Sequence, residues 1–409
     1  PWWMVQFNPT KPVELEEDIM ILIKLAWRNL VGAGLRTWLN VLVLAMAFIL
    51  MIWGKGVVDG MAYQLNDAMT NIEFGKGGQL WHSEFDATDP LTIEDSHALY
   101  PEEISARLSD HSAAPILIRQ GTIYPDGRMQ TILVKGIPPE QKVMDLPTDK
   151  IVMGATGSTP ALIGQKMADK SGLEVGDLLT VRWRDASGTF DAREVEIVHI
   201  MNTVVQTVDR NQIWIPLEEL QAMSNLEGQA TVIALDDDFV GTPTSAAWVY
   251  RDLDFLMKDM NDMIKSKNFG GNVMYGILFA IALLAIFDTQ VLAIFRRKKE
   301  MGTLMALGLT RAKVIGLFTI EGSMHGLIAF VAGFILGSPL FYLMTTKGYA
   351  IPGDMDDYGM ALGNVIYGKY GPDLLLGTTF LLFITVVIVS YLPTRKISKL
   401  TPTDALRGK

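Results

Sequence analysis

The sequence predicts an α-helical membrane protein with four transmembrane helices and an α+β domain inserted between the first and second on two stalk helices. Three observations carry this. Of 409 residues, 49% are hydrophobic and 20% charged, with a mean hydropathy of +0.24. That is too apolar for an ordinary soluble chain and too charged for one wholly immersed in lipid. Four apolar stretches reach the length of about 20 residues that a spanning helix needs. The charge is also partitioned: residues 56–271 hold 33 Asp+Glu against 17 Lys+Arg, and the remainder holds 12 against 18. A basic membrane part with an acidic insert argues against nucleic-acid binding. With no cysteine in the chain, disulfides, thiolate metal sites and cysteine nucleophiles are excluded.

Residues 1–37 precede the first span. Within them, 14–38 reads as an amphipathic helix, because Ile19, Leu22, Ile23, Ala26, Trp27 and Leu30 recur at helical spacing. Glu14, Glu16, Glu17 and Asp18 fall in its first turn, where the helix dipole favours negative charge. The pattern fits either an interfacial helix on the membrane or a helix packed on another subunit. The first span is 38–59; no small-residue cleavage site follows its apolar core, so it does not read as a secretory signal. The other spans are 271–295, 314–345 and 373–393.

Orientation follows from the bases. Lys24, Arg28 and Arg36 precede the first span, Arg296, Arg297, Lys298, Lys299, Arg311 and Lys313 fill the linker 296–313, and Arg395, Lys396, Lys399, Arg407 and Lys409 lie in the tail 394–409. The loop 346–372 instead carries Asp354, Asp356 and Asp357. The positive-inside rule then places both termini and the linker in the cytoplasm, with the domain 60–270 outside.

In the insert, 55–71 and 250–267 read as helical continuations of the bordering spans, the stalks. Strands 116–124 and 129–137 flank Pro125-Asp126-Gly127-Arg128, and strands 178–184 and 190–201 flank Asp185-Ala186-Ser187-Gly188, giving two hairpins with suitable turn residues. Residues 161–171 read as a helix ending at Gly172, and 212–217 and 230–235 as strands. Residues 75–115 show no clear pattern. Asp236-Asp237-Asp238 reads as a solvated loop rather than a Ca²⁺ site. Five histidines with no second ligand at metal spacing predict no metal site.

The linker is the most specific feature. Met301, Leu304, Met305 and Leu307 form an apolar face at helical spacing on a segment that should meet water. Such a face needs a covering partner. Gly308 followed by Thr310 reads as a helix stop and a fresh N-cap. Three polar groups lie inside spans: Asp288, Glu321 and His325. Such groups are costly in lipid and raise the possibility of ion coupling. Asp288 and Glu321, near the cytoplasmic ends, are better explained by structural roles. Gly322-x-x-x-Gly326 and Gly333-x-x-x-Gly337 give the third span a small-residue stripe, for packing within the subunit or, alternatively, for dimerisation.

The linker pattern Arg296-Arg297-x-x-Glu300-x-Gly302-x-x-x-Ala306-Leu307-Gly308-x-Thr310-Arg311, with Glu321-Gly322 in the next span, resembles the FtsX-type permease domain of MacB, FtsX and the LolC/LolE pair. These are membrane subunits of ABC transporters, type VII. The tail Pro393-Thr394-Arg395-Lys396 … Pro402-Thr403-Asp404-Ala405-Leu406-Arg407 and the opening Ala26-Trp27-Arg28-Asn29-Leu30 resemble the same family. In the insert, Val134-Lys135-Gly136-Ile137-Pro138 and Gly172-Leu173-Glu174-Val175-Gly176-Asp177 are similar to the MacB-like periplasmic core, closest to LolC/LolE. Pro138 departs from an Asp that is common there, and Ser171 interrupts the usual Leu-Gly.

The Gly-Lys pairs at 54–55, 75–76, 368–369 and 408–409 have no Ser or Thr after them, so no Walker loop is expected. The resemblance then implies a permease that is not itself an enzyme and carries no cofactor, with ATP and Mg on separate cytoplasmic ABC ATPase subunits. Its coupling residues would be Arg297, Glu300, Met301, Gly302, Leu304, Met305, Ala306, Gly308, Thr310 and Arg311. Asp288, Glu321, Gly322 and Gly326 would serve polar or packing roles in the membrane. The implied setting is the bacterial inner membrane, with a second copy or related permease, membrane lipids, and a lipoprotein substrate with a periplasmic carrier. The alternatives are a MacB-like exporter with an adaptor and outer-membrane channel, and an FtsX-like regulator of a cell-wall hydrolase.

Overall fold

The computed structural model describes Lys24 and residues 35–151, 157–203, 205–237, 239, 245–350 and 365–397. The expected amphipathic helix, the acidic loop around Asp354 and the tail beyond Ile397 fall largely or wholly outside these residues. The chain divides into two units: 1–60 with 266–349 and 367–409, and 61–265 with 350–366.

The principal helices are α1 (Leu35–Met69), α2 (Gln165–Ser171), α3 (Leu217–Ser224), α4 (Lys258–Arg296), α5 (Lys298–Ala306), α6 (Arg311–Thr346) and α7 (Pro372–Ile397). Among the described residues, Val41–Phe74, Arg311–Thr346 and Pro372–Arg395 are long and apolar enough to cross a membrane. The expected second span, 271–295, lies on α4 and is not among these three.

In the membrane unit the core forms where α1, α6 and α7 meet: Val41, Leu44, Ala45, Phe48, Ile49 and Ile52 bury against Ala329, Phe341, Leu382 and Val386. The glycine stripe makes this approach possible. Gly322, Gly326, Gly333 and Gly337 are all buried on α6. A Cβ on Gly326 would stand 3.0 Å from Val386 Cγ1 of α7, and one on Gly337 3.1 Å from Ile49 Cγ1 of α1. The stripe thus packs within the subunit. Phe48 meets Phe330 edge to face at 5.2 Å, a favoured aromatic geometry.

The other unit is built on strands β1 (Gln79–His82), β2 (Ala98–Leu99), β3 (Ala113–Ile123), β4 (Gln130–Ile137), β5 (Thr159–Gly164), β6 (Leu178–Arg184), β7 (Phe190–Met201), β8 (Gln212–Pro216), β9 (Gln229–Ala230), β10 (Val232–Leu235) and β11 (Trp248–Arg251). The main sheet runs β11-β1-β10-β3-β4-β8-β5-β7-β6, and β6 also pairs with β3. Six strands therefore close into a ring, with β10, β1 and β11 as an extension. Period-two alternation decides which residues fill it. Leu117, Ile132, Val134, Ile163, Val181, Val195, Ile213 and Ile215 face one core with α2 and α3. Ile118, Leu162, Trp214 and Ile137 face the other, against Leu65 and Met69 at the end of α1. Each such fully buried aliphatic side chain contributes about 1.5–3 kcal/mol.

Both predicted hairpins are present: β3 pairs β4 and β6 pairs β7, each antiparallel. Two expectations need correction. Residues 161–171 are not one helix: Thr159–Gly164 is strand and only Gln165–Ser171 is helical, ended by left-handed Gly172 at φ 64°. The strand is buried along its whole length, so its apolar run lacks the alternation that separates strand from helix. Nor is 250–267 helical throughout. Trp248–Arg251 extends the sheet beside β1. A short turn capped by Asp252, which accepts from Phe255 N, precedes α4. The unpatterned stretch 75–115 supplies β1 and β2.

Candidate functional site

The linker folds into a short helix seated on the base of α6. α5 begins after Arg297, whose backbone lies outside the helical region (φ −96°, ψ 12°). It ends in a two-bond C-cap: Gly308 N donates to Met305 O at 3.1 Å, and Leu309 N donates to Leu304 O at 3.1 Å. That motif requires a left-handed residue, which Gly308 supplies at φ 97°. Thr310 then caps α6, its Oγ1 accepting from Lys313 N. Leu307-Gly308-Leu309-Thr310 therefore turns the chain between the two helices in four residues, and this turn fixes which faces of α5 and α6 meet.

The apolar face of α5 is covered by its own chain. Met301, 1% exposed, packs against Val314 and Phe318 of α6, with Leu304, Met305 and Leu309 around them. The turn folds Met301, Leu304 and Met305 onto α6, whereas Leu307, the fourth residue of the expected face, is left uncovered. Gly302 is buried too. The opposite side stays open, with Glu300, Thr303, Ala306, Gly308, Thr310 and Arg311 exposed and Leu307 74% exposed.

A polar joint stands beside the apolar one. Arg297 Nη1 donates to Glu321 Oε1 at 2.5 Å and Nε donates to Glu300 Oε2 at 2.6 Å. The guanidinium also sits 4.8 Å from the Phe318 ring centroid. Burial alone would depress the Arg297 pKa, but hydrogen bonds and charge from Glu300 and Glu321 outweigh it and raise the value. Glu321 thus stands opposite Arg297 as a charge partner. His325 Nδ1 lies 2.9 Å from the Glu321 carbonyl oxygen. Asp288 is exposed on α4 and is not drawn into this cluster by any described contact. Gly322 and Gly326 belong to the packing stripe. Sequence reasoning missed Val314, Phe318 and Leu309; helical spacing of apolar residues across the Gly308 break was the available signal.

Beyond the linker, an apolar groove of about 340 Å³ lies between α1 and α4 in the membrane unit, lined by Leu42, Met46, Leu50, Tyr275, Leu278 and Phe279 among others.

Residues 272–402 match the family described as FtsX-like permease C-terminal. The chain is 22% identical to the lipoprotein-releasing system transmembrane protein LolC of Neisseria meningitidis serogroup B, over 72% of this chain and 78% of that one. It is 20% identical to LolC of Xylella fastidiosa (strain Temecula1), over 90% of this chain and 92% of that one. An uncharacterized ABC transporter permease of Methanocaldococcus jannaschii is 26% identical over 32% of this chain and 31% of its own. The linker helix, its seat on α6 and the last described span all fall within the matched region. The chain therefore carries an FtsX-like permease C-terminal domain over residues 272–402 and is similar to LolC at 20–22% identity over most of its length.

Proposed function

We propose that this chain is the membrane subunit of an ATP-driven machine that extracts lipoproteins or lipids from the inner membrane toward the periplasm. The observation that carries the reading is the linker helix, buried on one side against α6 and open on the other through Glu300, Thr303 and Ala306, with Leu307, Gly308 and Arg311 exposed just beyond its end. A helix seated so firmly can pass on a push; its open side offers the surface that a separate cytoplasmic ATPase grips.

In this reading hydrolysis, with its ATP and Mg, belongs to that separate subunit. α4 supplies a fourth span, both termini are cytoplasmic, and residues 60–270 form the periplasmic domain. α1 runs as one unbroken helix from Leu35 to Met69, so it can carry motion along its length to the stalk. The complete machine contains a second copy or a related permease. The similarity to LolC supports lipoprotein as the substrate class, and the groove of about 340 Å³ between α1 and α4 has the apolar lining an acyl chain requires.

The test is purification of the intact complex from its native membrane, with mass spectrometry of what accompanies it. The reading expects an ABC ATPase together with lipoprotein or lipid. Repeated recovery of an adaptor protein without lipoprotein would instead favour export, and recovery of a cell-wall hydrolase would favour regulation.

A further inference from the structure

We propose that Arg297 and Glu321 join the linker helix to the third span as one rigid body, so that displacement of α5 is delivered to α6 instead of being absorbed in the linker. The inference rests on the reading of α5 as the segment that receives ATPase motion. It assigns that segment a positioning pair that acts by joining α5 to α6.

Arg297 stands where the helical path breaks, between Arg296 at the end of α4 and Lys298 at the start of α5. A break there would let α5 pivot if nothing else held it. The side chain closes that freedom by spanning 24 positions of sequence to Glu321, at 2.5 Å, while keeping Glu300 of its own helix at 2.6 Å. A guanidinium is planar and can hold two carboxylates at a fixed angle, which an ammonium on a flexible stem cannot. The pair is also partly withdrawn from water: the Arg297 side chain is 25% exposed and Glu321 13%. Screening is weaker there than for a surface pair. Phe318 belongs to both joints, lying under the guanidinium and in the cluster with Met301 and Val314. Rotation of α5 away from α6 would therefore break the ion pair and open the apolar contact together. On α6 the same body continues to Gly333 and Gly337, which rest on Phe48, Ala45 and Ile49 of α1, so a displaced third span presses on the first.

The test uses the full chain in nanodiscs with nitroxide labels at Thr303→Cys and Leu327→Cys, both on exposed positions. Pulsed electron resonance should give one narrow distance distribution in the parent and in Glu321→Asp, which keeps the charge. Glu321→Gln and Arg297→Gln should each broaden it. In proteoliposomes containing a lipoprotein and the ATPase that accompanies the wild-type chain, both Gln variants should keep ATP hydrolysis but lose release per ATP by about tenfold. That is the scale on which losing a charge-assisted bond shifts an equilibrium. The double variant should be no worse than either single one, because the two groups act as a pair. Distances and release per ATP unchanged in both Gln variants would overturn the clamp. A wild-type chain that recovers no ATPase would overturn the coupling reading itself, and with it the role assigned to the clamp.

Discussion

The α-carbon of Gly333 lies against the ring of Phe48: a Cβ there would stand 2.8 Å from Phe48 Cδ1 and 3.2 Å from the Ala45 carbonyl oxygen. A ring can turn aside, but a backbone carbonyl inside a helix cannot. Gly333→Leu should therefore force α6 off α1 and cost about 1–3 kcal/mol, the usual penalty of overpacking. Gly377 on α7 is the control, because a Cβ there meets nothing within 4 Å. Gly377→Ala should be neutral or raise stability by up to about 1 kcal/mol, through helix propensity alone. Thermal unfolding in detergent checks both; equal melting shifts for the two variants would contradict this packing.

Gly308 makes a purely backbone prediction. Its φ is 97°, and a Cβ would meet nothing within 4 Å, so Gly308→Val introduces strain without a clash. The expected cost is about 1–3 kcal/mol, concentrated in the C-cap. Hydrogen exchange should accelerate at the amides of Gly308 and Leu309, while α6 beyond Phe318 keeps its protection. Unchanged exchange at those two amides would contradict the cap.

In the other unit, Arg119 is 1% exposed and is held by Glu94 Oε2 at 2.5 Å, Glu94 O at 2.7 Å and Arg184 O at 3.0 Å. Glu94→Gln would leave a buried cation with carbonyls alone, and should cost about 3–5 kcal/mol as expected for breaking a buried pair. Arg119→Met removes the cation itself and fills similar space, leaving Glu94 nearer water. It should be the milder change, and denaturant midpoints of the two variants test that order.

Glu73 sits in the single π-turn that ends α1, Thr70–Phe74, and its Oε2 accepts from Thr207 Oγ1 at 2.6 Å. Burial pushes its pKa up, against the pull of Lys135 and Thr207. Burial likewise pushes Lys135 down, with Glu73 opposing. The folded pKa of Glu73 lies above the unfolded value near 4.5, so the folded chain binds more protons between the two. Stability is greatest below the unfolded pKa and falls as pH rises toward the folded one. Hydrogen exchange at 70–75 should show this loss in the wild type, and Glu73→Gln should abolish it. A profile that rises with pH in that window would reverse the assignment.

How much of the fold and the linker site was legible depends on range. The hairpin at Pro125-Asp126-Gly127-Arg128 and the stop and cap at Gly308 and Thr310 are local chemistry, readable from a few residues. The strand Thr159–Gly164 was not, because a segment buried on both faces shows no period. The apolar face of Met301, Leu304 and Met305 was visible, but its cover was not. Which residues oppose it depends on the four-residue turn and on the phase of α6, fixed only once both helices are placed. The Arg297–Glu321 pair, 24 positions apart, has no sequence signal beyond the presence of two opposite charges. Glu321 could be read as structural; its partner could not be named.

The proposed function stands or falls on whether the open side of α5 and of the turn that follows it receives a separate ATPase. The chain has no cysteine, so single substitutions report cleanly. The direct measurement is thiol crosslinking in native membranes from Leu307→Cys, at a position 74% exposed, Arg311→Cys, and Met301→Cys, at a position 1% exposed. An ATPase seated on that side should give adducts from Leu307→Cys and Arg311→Cys and none from Met301→Cys. No ATPase adduct from the two open positions, or equal yield from Met301→Cys, would contradict it.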